Sequence, residues 1–480
     1  MAPGLVLLAV VVADGGEPHT LEELAARVER LEAELAATRA GAPDAGMPLG
    51  EPVEAPLDLR EPPFSKSDWS WLNGSNYQPP SLLRIGPVTP TFFVDADYAW
   101  QFWNPVDHTI FPTTTAARHG EFNLNLAYLG FELNGLDTKW GAPIGRFEVQ
   151  FGSYIATIHG QDNTLTRGSF LSNPTLSYVK QAGVGWHFHA LHGINVELGI
   201  FPSYIALESF VPQENWNYTH PFVSDFTPYY LAGLRTQIFP AESLKVELWL
   251  VNGWQSFGRW HDALTGGYLI NWRPNARLSL THNFYAGQEQ TRASDPSSNS
   301  LRVFTDNYAQ LLVFDDLGRA VLQRLAFCLV ADFGYEYRGP NVVLPPNGPM
   351  FGASLTMRVE WTRQVMSTLR ADVFYDASSA VVMALPLGNP YTLPGRSGAA
   401  NPYEFLGGGG TVTLDWRPSP WLLVRAEYMH RRANQPYFSG PGGITGPNGL
   451  PPKTDAERAT FTPDLRHYDN RVVVSVTLRM

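Results

Sequence analysis

Five pairs of opposite charge, each two residues apart, are the first chemistry the sequence offers: Arg146 with Glu148, Lys245 with Glu247, Arg358 with Glu360, Arg370 with Asp372 and Arg425 with Glu427. Residues two apart on an extended chain share a face, so each pair sets a cation and a carboxylate on one surface. Gln150 and Arg235 extend the same kind of face. Facing water, such groups could polarise an ion or solute beside them, or they could neutralise one another along a polar surface. With both signs present they predict neither a cation nor an anion preference.

A second set is close in sequence. Residues 202–228 carry Glu208, Glu214, Asn215, Trp216, Asn217, Tyr218, His220 and Asp225. The rings of Trp216 and Tyr218 could stack on sugar or other planar faces, with the polar side chains supplying hydrogen bonds. A third set is His187, His189 and His192, where a His-x-His pair on one face of a strand could bind a metal. Trp186 and Phe188 on the opposite face, and the turn that follows, explain the local polarity without an ion. No metal or other cofactor is therefore expected. The sequence lacks a Gly-x-Ser-x-Gly elbow, a phosphate-binding loop and a zinc helix motif, and the run from Gly407 to Gly410 enters a strand rather than a helix.

The elements that must hold these residues show a period of two. Phe92, Val94, Ala96, Tyr98 and Trp100 share a face opposed by Asp95, Asp97 and Gln101, and Phe147, Val149 and Phe151 oppose Arg146, Glu148 and Gln150. Leu244, Val246, Leu248 and Leu250 oppose Lys245 and Glu247, while Leu355, Met357, Val359 and Trp361 oppose Arg358 and Glu360. The pattern repeats around Arg370 and Asp372, around Arg425 and Glu427, and finally from Val472 to Met480. Strict alternation predicts strands with one apolar and one polar face.

Connection lengths alternate as well. Turns near residues 135–143, 240–243, 274–276, 362–364 and 417–420 are short, whereas 103–121, 155–174, 202–228, 378–405 and 432–470 are long. An antiparallel up-and-down transmembrane β-barrel produces that rhythm, with turns on the periplasmic side and loops outside. The chain is thus read as all-β, with about sixteen strands, even in number as closure requires. Segment 202–228 is expected to fold inward and narrow the lumen, and segment 432–470 to be a mobile outer loop.

A family resemblance becomes visible between Ile194 and Phe239. The order Gly199, Ile200, Phe201, Pro202, then Glu208 and Ser209, then Asn215, Trp216, Asn217 and Tyr218, then Gly233, Leu234 and Arg235 resembles the putative beta-barrel porin-2 family, the OmpL-like porins. Residues 145–152 and 250–255 fit the same pattern, and the resemblance covers roughly residues 90–480. It implies a bacterial outer-membrane pore, and it assigns no solute.

Composition agrees. Charged residues make up 16% and aromatics 13% of the 480 residues, a shortage of charge that a lipid-facing surface would cause. A net charge of −11 argues against a nucleic-acid partner. Cys328, the one cysteine, excludes an internal disulfide framework and is expected to be a buried apolar residue. No stretch reaches the roughly 18 apolar residues of a membrane helix, which says nothing about a barrel.

Residues 1–13 have the core of a signal peptide. Thr20 and Glu23 form a capping box, and Leu21, Leu24, Val28, Leu31 and Leu35 recur at three- and four-residue steps, predicting a short coiled-coil-like helix over 20–39. So short a helix needs an assembly to bring copies together, and a periplasmic homotrimer is expected. Residues 40–90 read as a Pro-rich linker leading into a barrel over 91–480, with no folded plug ahead of it. Together these predict a non-enzymatic porin passing small hydrophilic solutes or ions by diffusion, in contact with outer-membrane lipid. An outer-membrane barrel hydrolase and a plugged structural or adhesive barrel are the alternatives.

Overall fold

The computed structural model describes residues 62–76, 84–133, 136–159, 174–259, 263–290, 299–339, 347–382, 403–450 and 453–480. The chain divides into two units, 1–56 and 57–480, and every described residue belongs to the second. The signal-like segment 1–13 and the helix expected over 20–39 lie outside the described residues.

Strand formation follows the alternation. The strands are β1 (Val88–Gln101), β2 (Phe122–Leu133), β3 (Ala142–Phe151), β4 (Val179–Phe188), β5 (Ile194–Pro202), β6 (Tyr230–Ala241), β7 (Leu244–Val251), β8 (Thr265–Asn275) and β9 (Leu278–Gln290). They continue with β10 (Asn299–Asp315), β11 (Arg324–Tyr337), β12 (Gly348–Glu360), β13 (Val365–Asp376), β14 (Phe405–Ser419), β15 (Leu422–Ala433), β16 (Phe438–Ser439), β17 (Leu465–Arg466) and β18 (Tyr468–Arg479). Among the described residues, β1 to β15 and β18 make one closed sixteen-stranded antiparallel barrel. In hydrocarbon every backbone N–H and C=O needs a partner within the protein, which a sheet achieves only by closing. Here β1 and β18 close it, with Phe93 opposite Arg479 through Gln101 opposite Arg471.

The connections sort by end, as the sequence predicts. Turns such as 242–243, 276–277 and 420–421 lie at one end, together with the start of β1 and the end of β18; the long connections lie at the other. Around the outside, Leu355, Leu369, Val373, Val412, Leu414, Val472, Val474 and Val476 remain exposed. A belt of that kind is stable only when apolar solvent covers it, as the acyl chains of a membrane would. Exposed rings flank it: Trp140, Trp272, Trp361, Trp416 and Trp421 towards the short turns, Trp100, Phe102, Phe122 and Tyr468 towards the long loops. They form the two aromatic girdles of a membrane barrel.

The lumen departs from the uniformly polar interior that alternation suggests. Tyr308, Leu312, Ala326, Cys328, Val330, Met350, Phe374 and Phe405 join Leu207, Trp216, Phe222, Phe226, Trp71, Leu72 and Phe111 in a buried apolar cluster. Segments that fold inward need something apolar to pack on, and the β10 to β14 wall supplies it. Cys328 is buried there as expected.

The last long connection also differs from expectation. Its β16 and β17 pair, Phe438 opposite Arg466 and Ser439 opposite Leu465. The Ser439 N–H donates to Phe111 O at 3.1 Å, tying it to the first long loop. Buried Tyr437, Phe438 and Ile444 explain why its described part is ordered rather than mobile.

Candidate functional site

Between β5 and β6 the chain leaves the wall and crosses the lumen, and residues 204–208, 210–213 and 215–232 are buried. Backbone groups that leave a sheet must be satisfied elsewhere, and the opposite wall does this. Glu427 of β15 accepts from the N–H groups of Tyr218 at 2.6 Å and Thr219 at 3.0 Å. The Arg425 guanidinium donates to Pro212 O at 3.0 Å and Asn215 O at 2.8 Å while gripping Asp415 at 2.7 and 3.1 Å. Arg358 also reaches Asp415, at 3.1 Å, and donates to Trp216 O at 3.3 Å. Arg370 donates to Thr219 O, and Asp372 accepts from Phe222 N–H at 3.2 Å. Asn217 Nδ2 donates to Thr413 Oγ1 at 2.6 Å, and the Tyr218 hydroxyl to Asp95 at 2.7 Å.

The short helical turn Phe222–Asp225 anchors the segment's second half. Asp225 pairs with Arg431 at 2.9 Å and accepts from Thr114 Oγ1 at 2.8 Å. Burial by itself would raise this carboxyl, but the Arg431 charge and the His220 and Thr114 hydrogen bonds outweigh it and hold the group at about 2. Thr114, His220 and Asp225 thus meet in one cluster, with His220 Nδ1 3.1 Å from Thr114 Oγ1. All three side chains are buried. A nucleophile needs substrate access as well as a base, so the cluster serves as an anchor.

A second strand of chain also enters. Residues 62–76, assigned from sequence to the linker, start beside the short turn at 242–243, where Phe64 N–H donates to Glu242 O at 2.9 Å. They run inside along β8 to β11: Arg273 lies 4.0 Å from the centre of the Phe64 ring, Arg324 pairs with Asp68 at 2.5 Å, and Asn73 N–H donates to Gln310 at 2.7 Å. Asn73 Oδ1 then accepts from Trp216 N–H at 2.6 Å, joining the strap to the inward loop. Gly74, at φ +65°, sits where a Cβ would fall 1.9 Å from Leu207 O, so only glycine permits that crossing. The aromatic run Trp69, Trp71 was the one available signal, and its missing periodicity made it look like linker.

The β2 to β7 wall is different. Arg146 pairs with Glu132, Lys180 with Glu148, Arg235 with Glu197 at 2.6 Å and Lys245 with Glu247 at 2.9 Å. Gln150 Nε2 donates to Ser177 O at 2.9 Å. The Arg146 and Glu132 side chains are 38% and 34% exposed, whereas Arg358 and Asp415 are 6% and 1%. Arg479 reaches across to Glu214 of the inward loop at 3.2 Å.

Several expected contacts are corrected. Of the five i, i+2 pairs, Lys245 with Glu247 forms, and Arg370 approaches Asp372 at 3.7 Å. Arg146, Glu148, Arg358 and Arg425 take partners on other strands instead, and Glu360 lies 3.9 Å from Arg324. Arg146 and Arg425 stand directly opposite Glu132 and Asp415, about 5 Å apart and nearer than residues two apart on one strand, while Arg358 reaches over β13 to Asp415. Trp216 and Tyr218 present no face for stacking, because both rings are buried as packing elements. Glu208 accepts from the Ser224 hydroxyl and Asn215 Nδ2 donates to Ser209 O at 2.6 Å, so the loop's polar groups bond to protein rather than to a solute. His187 bonds Asn195 at 2.7 Å, and among the described residues no three His, Cys, Asp or Glu side chains gather as a metal ion would require.

A family model described as putative beta-barrel porin-2, OmpL-like, matches residues 87–462. No curated protein matches the chain. Solved structures that resemble it include the anion-selective porin from Comamonas acidovorans, 8% identical over 82% of this chain and 99% of that one, with a TM-score of 0.49. The outer membrane channel DcaP of Acinetobacter baumannii is 12% identical over 82% of this chain and 97% of its own, with a TM-score of 0.48. OmpT, an outer membrane protein of Vibrio cholerae, is 10% identical over 84% and 100%, with a TM-score of 0.46.

Proposed function

The chain belongs to the putative beta-barrel porin-2, OmpL-like, family, and from that premise we propose that it passes small hydrophilic solutes or ions by diffusion along the β2 to β7 wall of its lumen. The membership makes it a porin channel of the bacterial outer membrane. In our reading the opposite side of the lumen is filled by segment 202–228 and the strap 62–76, which narrow the passage and leave Arg146, Glu132, Arg235, Glu197, Lys245, Arg479 and Glu214 to meet the solute. The observation that carries it is the grip of Glu427 on the Tyr218 and Thr219 N–H groups, which fixes the tip of the inward loop against the far wall. A loop held by buried hydrogen bonds is a fixed filter rather than a flap.

The short turns, with the strap's start at Phe64, face the periplasm in this reading and the long loops face outward. The helix over 20–39 would then assemble three copies on the periplasmic side. The mechanism needs no cofactor and no chemical step. It is tested by single-channel recording and by swelling of liposomes in sugars of increasing size. Wild type should give small steps and a sharp size limit, and a variant with residues 209–220 replaced by a short glycine-serine link should give larger steps and admit larger sugars. If neither form conducts or swells vesicles, the plugged structural barrel is the better description.

A further inference from the structure

The apolar belt is interrupted on the outer face of β13, β14, β15 and β18, near the ends that carry long loops. Gly408 stands between Val373 and Arg432, and Arg432 is followed by Tyr468. In the next row Gly410 stands between Ala371 and His430, and His430 is followed by Asn470. With no side chain at Gly408, a trough of about 990 Å³ opens there, which Val373, Leu406 and His467 also line. A Cβ at Gly408 would fall 2.9 Å from Asp372 O, so the approach of β13 keeps that position bare and leaves room on the outside.

The depth of the trough is set by the strand. The outward residues of β15 run Leu422, Val424, Ala426, Tyr428, His430, Arg432 from the short-turn end. At about 3.3 Å per residue and a tilt of about 40°, Arg432 stands roughly 25 Å above Leu422. That is the height of the hydrocarbon band, so the guanidinium sits at headgroup level. It is exposed, and among the described residues its side chain has no hydrogen bond or ion pair. His430 and His467 are beside it and exposed; each uses Nδ1 within the protein, to Asn470 and to Ala433 O, so that Nε2 is the nitrogen left for a ligand. An unpaired cation with two imidazoles above a glycine floor, facing lipid, matches an anion that carries acyl chains.

We propose that this trough holds the phosphorylated headgroup of an outer-leaflet glycolipid, with Arg432 on the phosphate and an acyl chain along Gly408 against Val373. The site rests on the outward orientation of the long loops proposed above. It is tested on the full chain in nanodiscs containing a bis-phosphorylated glycolipid, phosphatidylglycerol or phosphatidylcholine alone, with bound lipid counted by native mass spectrometry. Wild type should retain the glycolipid, Arg432→Gln should bind it about fivefold more weakly, and Val373→Trp should lose it by filling the trough. Single-channel conductance should be unchanged in both variants, since neither residue faces the lumen. Equal retention by all three proteins overturns the site. Retention of phosphatidylglycerol alone overturns the outer-leaflet assignment. Unaltered lipid with a changed oligomeric state in the variants also overturns it, in favour of a second copy of the chain in the trough. Glycolipid retention by a wild type that passes no current supports the lipid site and counts against the channel reading.

Discussion

On the β12 to β15 wall, Arg358 and Arg425 share Asp415 beneath the inward loop, with the Arg358 and Asp415 side chains 6% and 1% exposed. On the β2 to β7 wall, Arg146 and Glu132 keep 38% and 34% of their surface. Both walls use the same residue types on the same inward face, yet the first has become a socket, whereas the second grades from the dry pair of Lys180 and Glu148 to Arg146 and Glu132 in water. Burial decides between the two. A charge under protein must be paired and hydrogen-bonded, and its removal strands its partners. A charge in water is screened and cheap to lose, but its field reaches a solute within about 10 Å at 0.1 M salt.

The sharpest break of this contrast is Arg425→Ala. It leaves the Asp415 carboxylate with Arg358 alone and strands the Pro212 and Asn215 carbonyls, so a loss of about 3 kcal/mol is expected. The unfolding temperature in detergent should fall, and conductance should rise as the loop loosens; an unchanged conductance would show that the loop does not rely on this wall.

The next effect depends on pH. Asp225 has a folded pKa near 2, below its ordinary 3.8, so its ion pair stabilises the fold above pH 4 and that contribution is lost as pH falls from about 4 through 2. Conductance should be constant from pH 7 to 4 and become noisy or larger below, and Asp225→Asn should show the loosened behaviour already at pH 7. An identical acid profile in the variant would place the acid sensitivity elsewhere.

The smallest expected effect on stability is on the wet wall. Arg146→Gln, at the exposed pair with Glu132, should change it by less than about 1 kcal/mol while shifting the reversal potential in a salt gradient towards cations, with the shift shrinking at high salt. A stability loss like that of Arg425→Ala would mean that the two walls are not different in kind.

Much of the architecture was legible because period two is a property of the backbone. The outward faces from Phe92 to Trp100 and from Val472 to Met480, the sixteen strands and the sorted connections needed no knowledge of packing. The inward course of 202–228 was legible from its polar and aromatic content, since an outer loop has no need of so many groups able to satisfy one another. The roles within it were not. Trp216 and Tyr218 suggest stacking in a list of side chains, and only their burial shows them to be anchors. The 62–76 strap gave almost no signal, because an extended segment satisfied by side chains of a wall has neither helical nor strand periodicity.

From sequence alone came the face each residue presents, to lipid or to lumen, because alternation is local and the register of one strand fixes it. Tertiary structure alone decided the partners and the solvent of each inward charge. Arg358 meets Asp415 57 residues away by reaching over β13, which lies between their strands in the barrel, and its pair is dry because a loop from the opposite wall lies on it. The energy of a charge depends on what surrounds it, and residues distant in the chain supply those surroundings.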